Sequence, residues 1–129
     1  ALTKAESLNE EKIIKAEVLD SCSETFKYNG KSYILKMELV TEAETDSLYS
    51  VVKDNSEDVT VSEATPIVCK VNLAHPFFTR FDQFKKGQDY TPIIAIFKAL
   101  TLAEIMAPDK GTKFASNVRI LFNQSIIQL

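Results

Sequence analysis

The chain has 129 residues, of which 45% are hydrophobic and 26% charged, and its formal net charge is −3. This is the length and composition of one globular domain with its own core, so residues 1–129 are expected to fold as a single domain. Since the one basic cluster is Lys85-Lys86, the chain lacks the positive surface that binds phosphates, and neither nucleic acid nor an anionic membrane surface is an expected partner.

No targeting or metal-binding pattern is visible in the chain. The apolar run 92–107 is interrupted by two charged residues and is too short and too charged to span a bilayer. Residues 1–11 have no signal-peptide pattern and are expected to form a linker or a short helix. Without an export signal, Cys22 and Cys69 are expected to be reduced thiols in the cytoplasm rather than one disulfide. Because the chain lacks an initiator Met, we expect that it was processed or excised from a longer protein.

The first half of the chain is rich in strand signals. Residues 13–19 predict a strand that ends at the turn-prone residues 20–23. Asn29-Gly30 is typical of a type I′ turn and predicts a hairpin between residues 25–28 and 31–40. Alternation then places apolar side chains on one face of the hairpin and polar ones on the other. The apolar face contains Phe26, Tyr33, Leu35, Met37 and Leu39, and the polar face contains Lys27, Lys36 and Glu38.

Further strands are predicted at 48–53, at 59–61 as an edge strand, and at 67–73. The last of these is predicted to be the longest, with Pro66 at its first position, where no ladder donor is needed. The carboxylates of the loops between these strands have no EF-hand spacing, so a solvated loop is favoured over a calcium site.

Two helices are predicted in the second half. Thr91-Pro92 is a helix start, and the run that follows is apolar on more than one face, so this helix should be nearly buried. A last helix after Thr112 has helical spacing in Phe114, Val118, Leu121, Phe122, Ser125 and Ile126. Strands followed by helices predict an α+β fold: an antiparallel sheet of about four or five strands, with two C-terminal helices packed on one face.

The segment 71–81 joins the two halves and contains the only histidine, His75. A catalytic imidazole needs an orienting acceptor and a nucleophile or substrate proton within reach, and no nucleophile motif is present, so His75 is predicted to be structural. The phenylalanines are predicted to pack the junction between sheet and helices, with an aromatic ligand platform as the alternative. No catalytic, cofactor or metal residue is predicted. The residues predicted for the junction or a binding site are Asn72, His75, Phe77, Phe78, Arg80 and Phe81.

Val71-Asn72-Leu73-Ala74-His75-Pro76-Phe77-Phe78 resembles a motif, Val/Ile-Asn-x-x-His-Pro-Phe-Phe/Tyr, of bacterial proteins with a gyrase/chaperone/histidine-kinase-type (GHKL) ATPase module. The Ala/Leu-rich residues 99–104 and Asn123 resemble the helical tail of those proteins, so the likeness covers about residues 48–129. It implies an accessory region downstream of the ATPase core. The Asp-x-Gly-x-Gly loop and the Asn-bearing helix of the nucleotide site are absent, so no ATPase activity is expected of this chain alone.

Three functions are compatible with these features. The leading hypothesis is a non-catalytic interaction or regulatory domain that pairs with the ATPase core, another protomer in a homo-oligomer, or a partner protein. The alternative is a small stand-alone ligand-binding protein with a pocket between sheet and helices near His75, and the third is an enzyme that uses His75. An interaction domain should expose an apolar patch, whereas a ligand binder should have a pocket with converging polar groups.

Overall fold

The computed structural model describes residues 12–14, 16–45, 47–53, 64–82, 89–111 and 113–127. It has the expected α+β class. The strands are β1 (Val18–Tyr28), β2 (Lys31–Val40), β3 (Tyr49–Lys53) and β4 (Ala64–Asn72). The helices are α1 (Pro76–Arg80), α2 (Thr91–Met106), a 3₁₀ helix (Ala107–Lys110) and α3 (Ser116–Ile126). The edge strand predicted at 59–61 lies outside the described residues.

The sheet is mixed, so the prediction of an antiparallel sheet is wrong. Its strand order is β1-β2-β4-β3, with antiparallel pairs at both edges and a parallel pair, β2 with β4, in the centre. Parallel neighbours need a crossover connection, and the chain between β2 and β4 provides it by forming β3 at the far edge. The central position suits β2 and β4 because they carry the fully buried side chains Leu35 and Ile67.

The predicted β1–β2 hairpin is confirmed. Asn29 and Gly30 have φ of 52° and 77°, as a type I′ turn requires. Phe26 pairs with Tyr33, and their rings stack with centroids 5.0 Å apart. The strand predicted at 13–19 is confirmed only at Val18 and Leu19, which begin β1. Residues 12–14 are helical, and the turn-prone residues 20–23 continue β1 instead of ending it. As an edge strand with mostly exposed side chains, β1 tolerates these polar residues, and pairing with β2 overrides their turn preference.

The two faces of the sheet differ as the alternation predicted. Tyr33, Leu35, Met37 and Leu39 are buried on the helix-covered face with alternate residues of β4 and with Phe78, Ile93 and Phe97 from the helices. On the other face, Glu38 pairs with Lys36 at 3.4 Å and with Lys70 at 3.6 Å. Lys70 also donates a hydrogen bond to the Ile14 carbonyl, so the helical residues 12–14 lie against this second face.

The helical half contains more than the two predicted C-terminal helices, since α1 and a 3₁₀ helix are also present. Pro92 lies in the first turn of α2 as predicted, but α2 is not nearly buried: only Ile93, Phe97 and Thr101 are, because one helical face alone reaches the sheet. By length and composition the 20 residues Thr91–Lys110 could cross a membrane. One such helix is weak evidence for a membrane span, because a core helix of a soluble protein passes the same test.

Candidate functional site

Asn72 joins the end of β4 to the loop after β2. Its fully buried side chain accepts hydrogen bonds from the backbone N–H of Glu42 (2.9 Å) and of Ala74 (3.1 Å). Its amide nitrogen donates to the carbonyl oxygens of Glu42 (2.8 Å) and Ser47 (3.4 Å). Both ends of the side chain therefore bond to the backbone, and Asn72 holds the loop in place.

His75 begins α1. Its side chain is 1% exposed, and its backbone is extended (φ −62°, ψ 143°), as expected before Pro76. The Nδ1 atom accepts a hydrogen bond from the backbone N–H of Phe77 at 3.0 Å, so the imidazole is the N-cap of α1. In a neutral imidazole an accepting Nδ1 leaves the proton on Nε2. The geometry therefore gives His75 a helix-capping role.

The aromatic residues predicted for the junction divide between the core and the surface. Phe78 is buried in the core, and Phe77 contacts both Phe78 and Phe81, with ring centroids 5.3 and 5.1 Å away. The Arg80 guanidinium lies 5.4 Å from the centre of the Phe81 ring. These side chains surround a cleft of about 250 Å³, which lies between α1 and the end of α3 rather than between sheet and helices. It is lined by His75, Pro76, Phe77, Arg80, Phe81, Ile126 and Ile127, and we call it the Arg80 cleft.

A buried ion pair between α2 and α3 was missed in the sequence. The Arg119 Nε atom donates to Glu104 Oε1 at 2.9 Å, and both side chains are mostly buried. Burial raises the pKa of Glu104 to about 7 against the opposing charge of Lys53, and burial lowers the pKa of Arg119 to about 10. Two clefts, of about 270 and 200 Å³, share these two side chains. The sequence did contain one signal for this pair: Arg119 is the single charged residue of α3, and a lone charge in an otherwise uncharged helix suggests a specific partner.

Asn123 forms hydrogen bonds with the outer edge of β3. The sequence singles this residue out only through the resemblance to GHKL-type proteins. Its buried Oδ1 atom accepts hydrogen bonds from the backbone N–H of Leu48 (2.9 Å) and of Tyr49 (3.2 Å). Its Nδ2 atom donates to the Tyr49 carbonyl at 3.0 Å. A side chain of α3 thus takes the place that a neighbouring strand would otherwise fill.

The apolar side chains of the last helix do not all point inward as predicted. The last helix begins at Ser116, so Phe114 lies before it, with φ of 57°, and is 76% exposed. On α3 itself, Val118 and Leu121 are 63% and 60% exposed, while Arg119 and Asn123 are buried. The hydrogen bonds of Arg119 and Asn123 set this orientation, because both side chains must reach partners beneath the helix.

Exposed apolar side chains lie on α2, on α3 and at Phe114, just before α3. Ile96 and Met106 are exposed on α2, and the two helices meet at a cleft lined by Ala103 of α2 and Val118 of α3. We call these exposed side chains together the outer helical face. It consists of Ile96, Met106, Phe114, Val118 and Leu121.

Of the two cysteines, Cys22 is exposed and Cys69 is buried. Cys22 and Cys69 are both free, and burial raises the pKa of the Cys69 thiol to about 12, so it is not a thiolate at neutral pH. Within the described ranges, no three His, Cys, Asp or Glu side chains are grouped to hold a metal ion.

No family model matches the chain, and no curated protein or solved structure matches it. The resemblance to GHKL-type proteins therefore rests on the residues of this sequence.

Proposed function

We propose that the chain is a non-catalytic interaction domain, an accessory part of a larger GHKL-type ATPase-like protein, and that it packs on the remainder of that protein through the outer helical face. The observation that carries the proposal is this face itself. Soluble proteins rarely leave large contiguous apolar patches in water, and such patches mark interaction sites.

Leaving these apolar side chains in water is costly for an isolated domain. Each exposed Val, Leu or Phe forgoes roughly 1.5–3 kcal/mol of burial free energy, and Phe114, Val118 and Leu121 are all more than half exposed. A further protein layer over α2 and α3 recovers that free energy. The helical layer then has apolar contacts on both sides, with the sheet on one and the rest of the protein on the other.

The chemistry of the surface supports a protein occupant. The centres of protein interfaces are depleted of charge, and the one charged residue of α3 points inward at Glu104. The likeness to a region downstream of an ATPase core supports the remainder of the same protein as that occupant. The roles of His75 as a helix cap and of Cys69 as a buried thiol support a domain without catalytic chemistry of its own.

Thiol labelling of a Leu121→Cys variant tests the proposal, with the native exposed Cys22 on β1 as internal control. In the isolated domain both thiols should react with a maleimide at similar rates, while the buried Cys69 stays silent. In the product of the full reading frame, the thiol at position 121 should react at least about tenfold more slowly, because the ATPase core covers it. Cys22 should be unaffected.

Equal labelling of position 121 in both proteins would overturn the proposal. A full reading frame that encodes no ATPase core would overturn the assignment to a larger ATPase.

A further inference from the structure

We propose that the Arg80 cleft is a binding site for small carboxylates with an apolar tail. The cleft is separate from the outer helical face and needs no partner protein. A test of ligand binding in the cleft is therefore independent of the proposed docking function.

The walls of the cleft suit an apolar tail. Phe77 and Phe81, whose ring centroids are 5.1 Å apart and whose planes are tilted by 47°, line the cleft together with Ile126 and Ile127 from the end of α3. The volume of about 250 Å³ corresponds to roughly eight water molecules in the liquid, which is below the usual range for drug-sized ligands. The ligand is therefore small, of the size of a medium-chain fatty acid.

Arg80 lines the cleft and gives it a positive charge. In the described part of the chain no carboxylate pairs with it, and its guanidinium is oriented by the Phe81 ring at 5.4 Å. A planar guanidinium matches a carboxylate with two parallel hydrogen bonds. The positive charge of Arg80 disfavours a cationic ligand. A phosphate dianion is also disfavoured, because one cation surrounded by apolar side chains cannot balance its two negative charges.

The geometry also orients the ligand. The last carbonyl groups of α3 carry partial negative charge and lie near Ile126 and Ile127, so the carboxylate belongs at the α1 end beside Arg80. The tail then extends along Phe77 and Phe81 toward the end of α3. His75 also lines the cleft, and its Nδ1 atom accepts a hydrogen bond from the Phe77 N–H.

Titration of the ¹⁵N-labelled chain with octanoate, and separately with its neutral isostere octanamide, tests the site by amide chemical shifts. Octanoate should saturate shifts at Phe77, Phe81 and Ile127, and octanamide should bind about tenfold more weakly or worse, because a hydrogen bond to a charged group is lost. Arg80→Gln should lower the affinity for octanoate to that of octanamide. Lys27→Gln, which removes an exposed charge on β1, should leave the affinity unchanged within about twofold.

Three results would overturn the proposal: equal affinities for octanoate and octanamide in the unmodified chain, shifts centred outside the cleft, or no saturation below about 10 mM. Arg80 is exposed, so Arg80→Gln should unfold at the same denaturant concentration as the unmodified chain. If the Arg80→Gln variant fails to fold, the ratio of the octanoate and octanamide affinities of the unmodified chain tests the proposal on its own.

Discussion

Replacing Asn123 with alanine should destabilise the domain through the edge of β3. The amide makes three hydrogen bonds to the backbone of Leu48 and Tyr49, all in buried surroundings. Each backbone group left without a partner costs about 1–3 kcal/mol when it stays dry, and less when water can enter. Because the three groups are adjacent and one water can serve two of them, we expect a total loss of about 2–4 kcal/mol.

Urea unfolding followed by circular dichroism measures this loss. With a slope of about 1–2 kcal/mol per molar urea, typical of a small domain, the midpoint should fall by about 1–4 M while the slope stays the same. An unchanged slope shows that the stability of the native state, rather than its compactness, has changed.

Two further variants sharpen the test. Asn117→Ala removes the same amide from the exposed side of α3 and should shift stability by less than about 0.5 kcal/mol. Asn123→Asp keeps an acceptor for the two N–H groups but turns a carboxylate oxygen toward the Tyr49 carbonyl, so it should also destabilise the domain. If Asn123→Ala were as stable as Asn117→Ala, the edge-completing role of Asn123 would be refuted.

Three other predictions concern the electrostatics, the loop and the turn. Burial raises the pKa of Glu104 from its ordinary 4.5 to about 7, so the folded state holds a proton that the unfolded state releases between these values. Stability relative to Glu104→Gln should therefore fall by roughly 1–2 kcal/mol from pH 4.5 to 7.5 in urea titrations, after allowance for solvent screening; a pH-independent difference contradicts the shift. Asn72→Ala should speed hydrogen exchange of the Glu42 amide at least about tenfold, because its acceptor is lost, and unchanged exchange would rule out that role. Gly30→Ala should cost about 1 kcal/mol in thermal unfolding, because φ is +77° while the space for a methyl group is open. Asn29→Gly should be neutral within about 0.5 kcal/mol, and an equal loss in both variants would contradict the turn argument.

Features encoded by neighbouring residues could be predicted from the sequence. Asn29-Gly30 specifies a turn through the two positive φ angles of its own backbone, and Pro92 specifies a helix start because it has no N–H to lose. The extended geometry of His75 follows in the same way from the proline after it. None of these predictions depends on what the segment packs against.

The direction of the central strands could not be predicted in this way. Alternation along β2 and β4 shows which side chains share the inward face, but Leu35 and Ile67 reach the same core whether the strands run parallel or antiparallel. The choice depends on where β3 lies, and the placement of β3 depends on contacts with Asn72 and Asn123, which are distant in sequence.

The rotation of α3 about its axis illustrates the same limit and explains the outer helical face. Turning the helix by about one residue, roughly 100°, would direct Val118 inward in place of Arg119. That rotation would bury apolar surface, but it would leave Glu104 without its guanidinium partner and the β3 backbone without Asn123. Unpaired buried polar groups cost about as much as the apolar burial would gain. Polar partners therefore set the orientation of α3, and they leave Val118 and Leu121 exposed on the outer helical face that we propose as the docking surface.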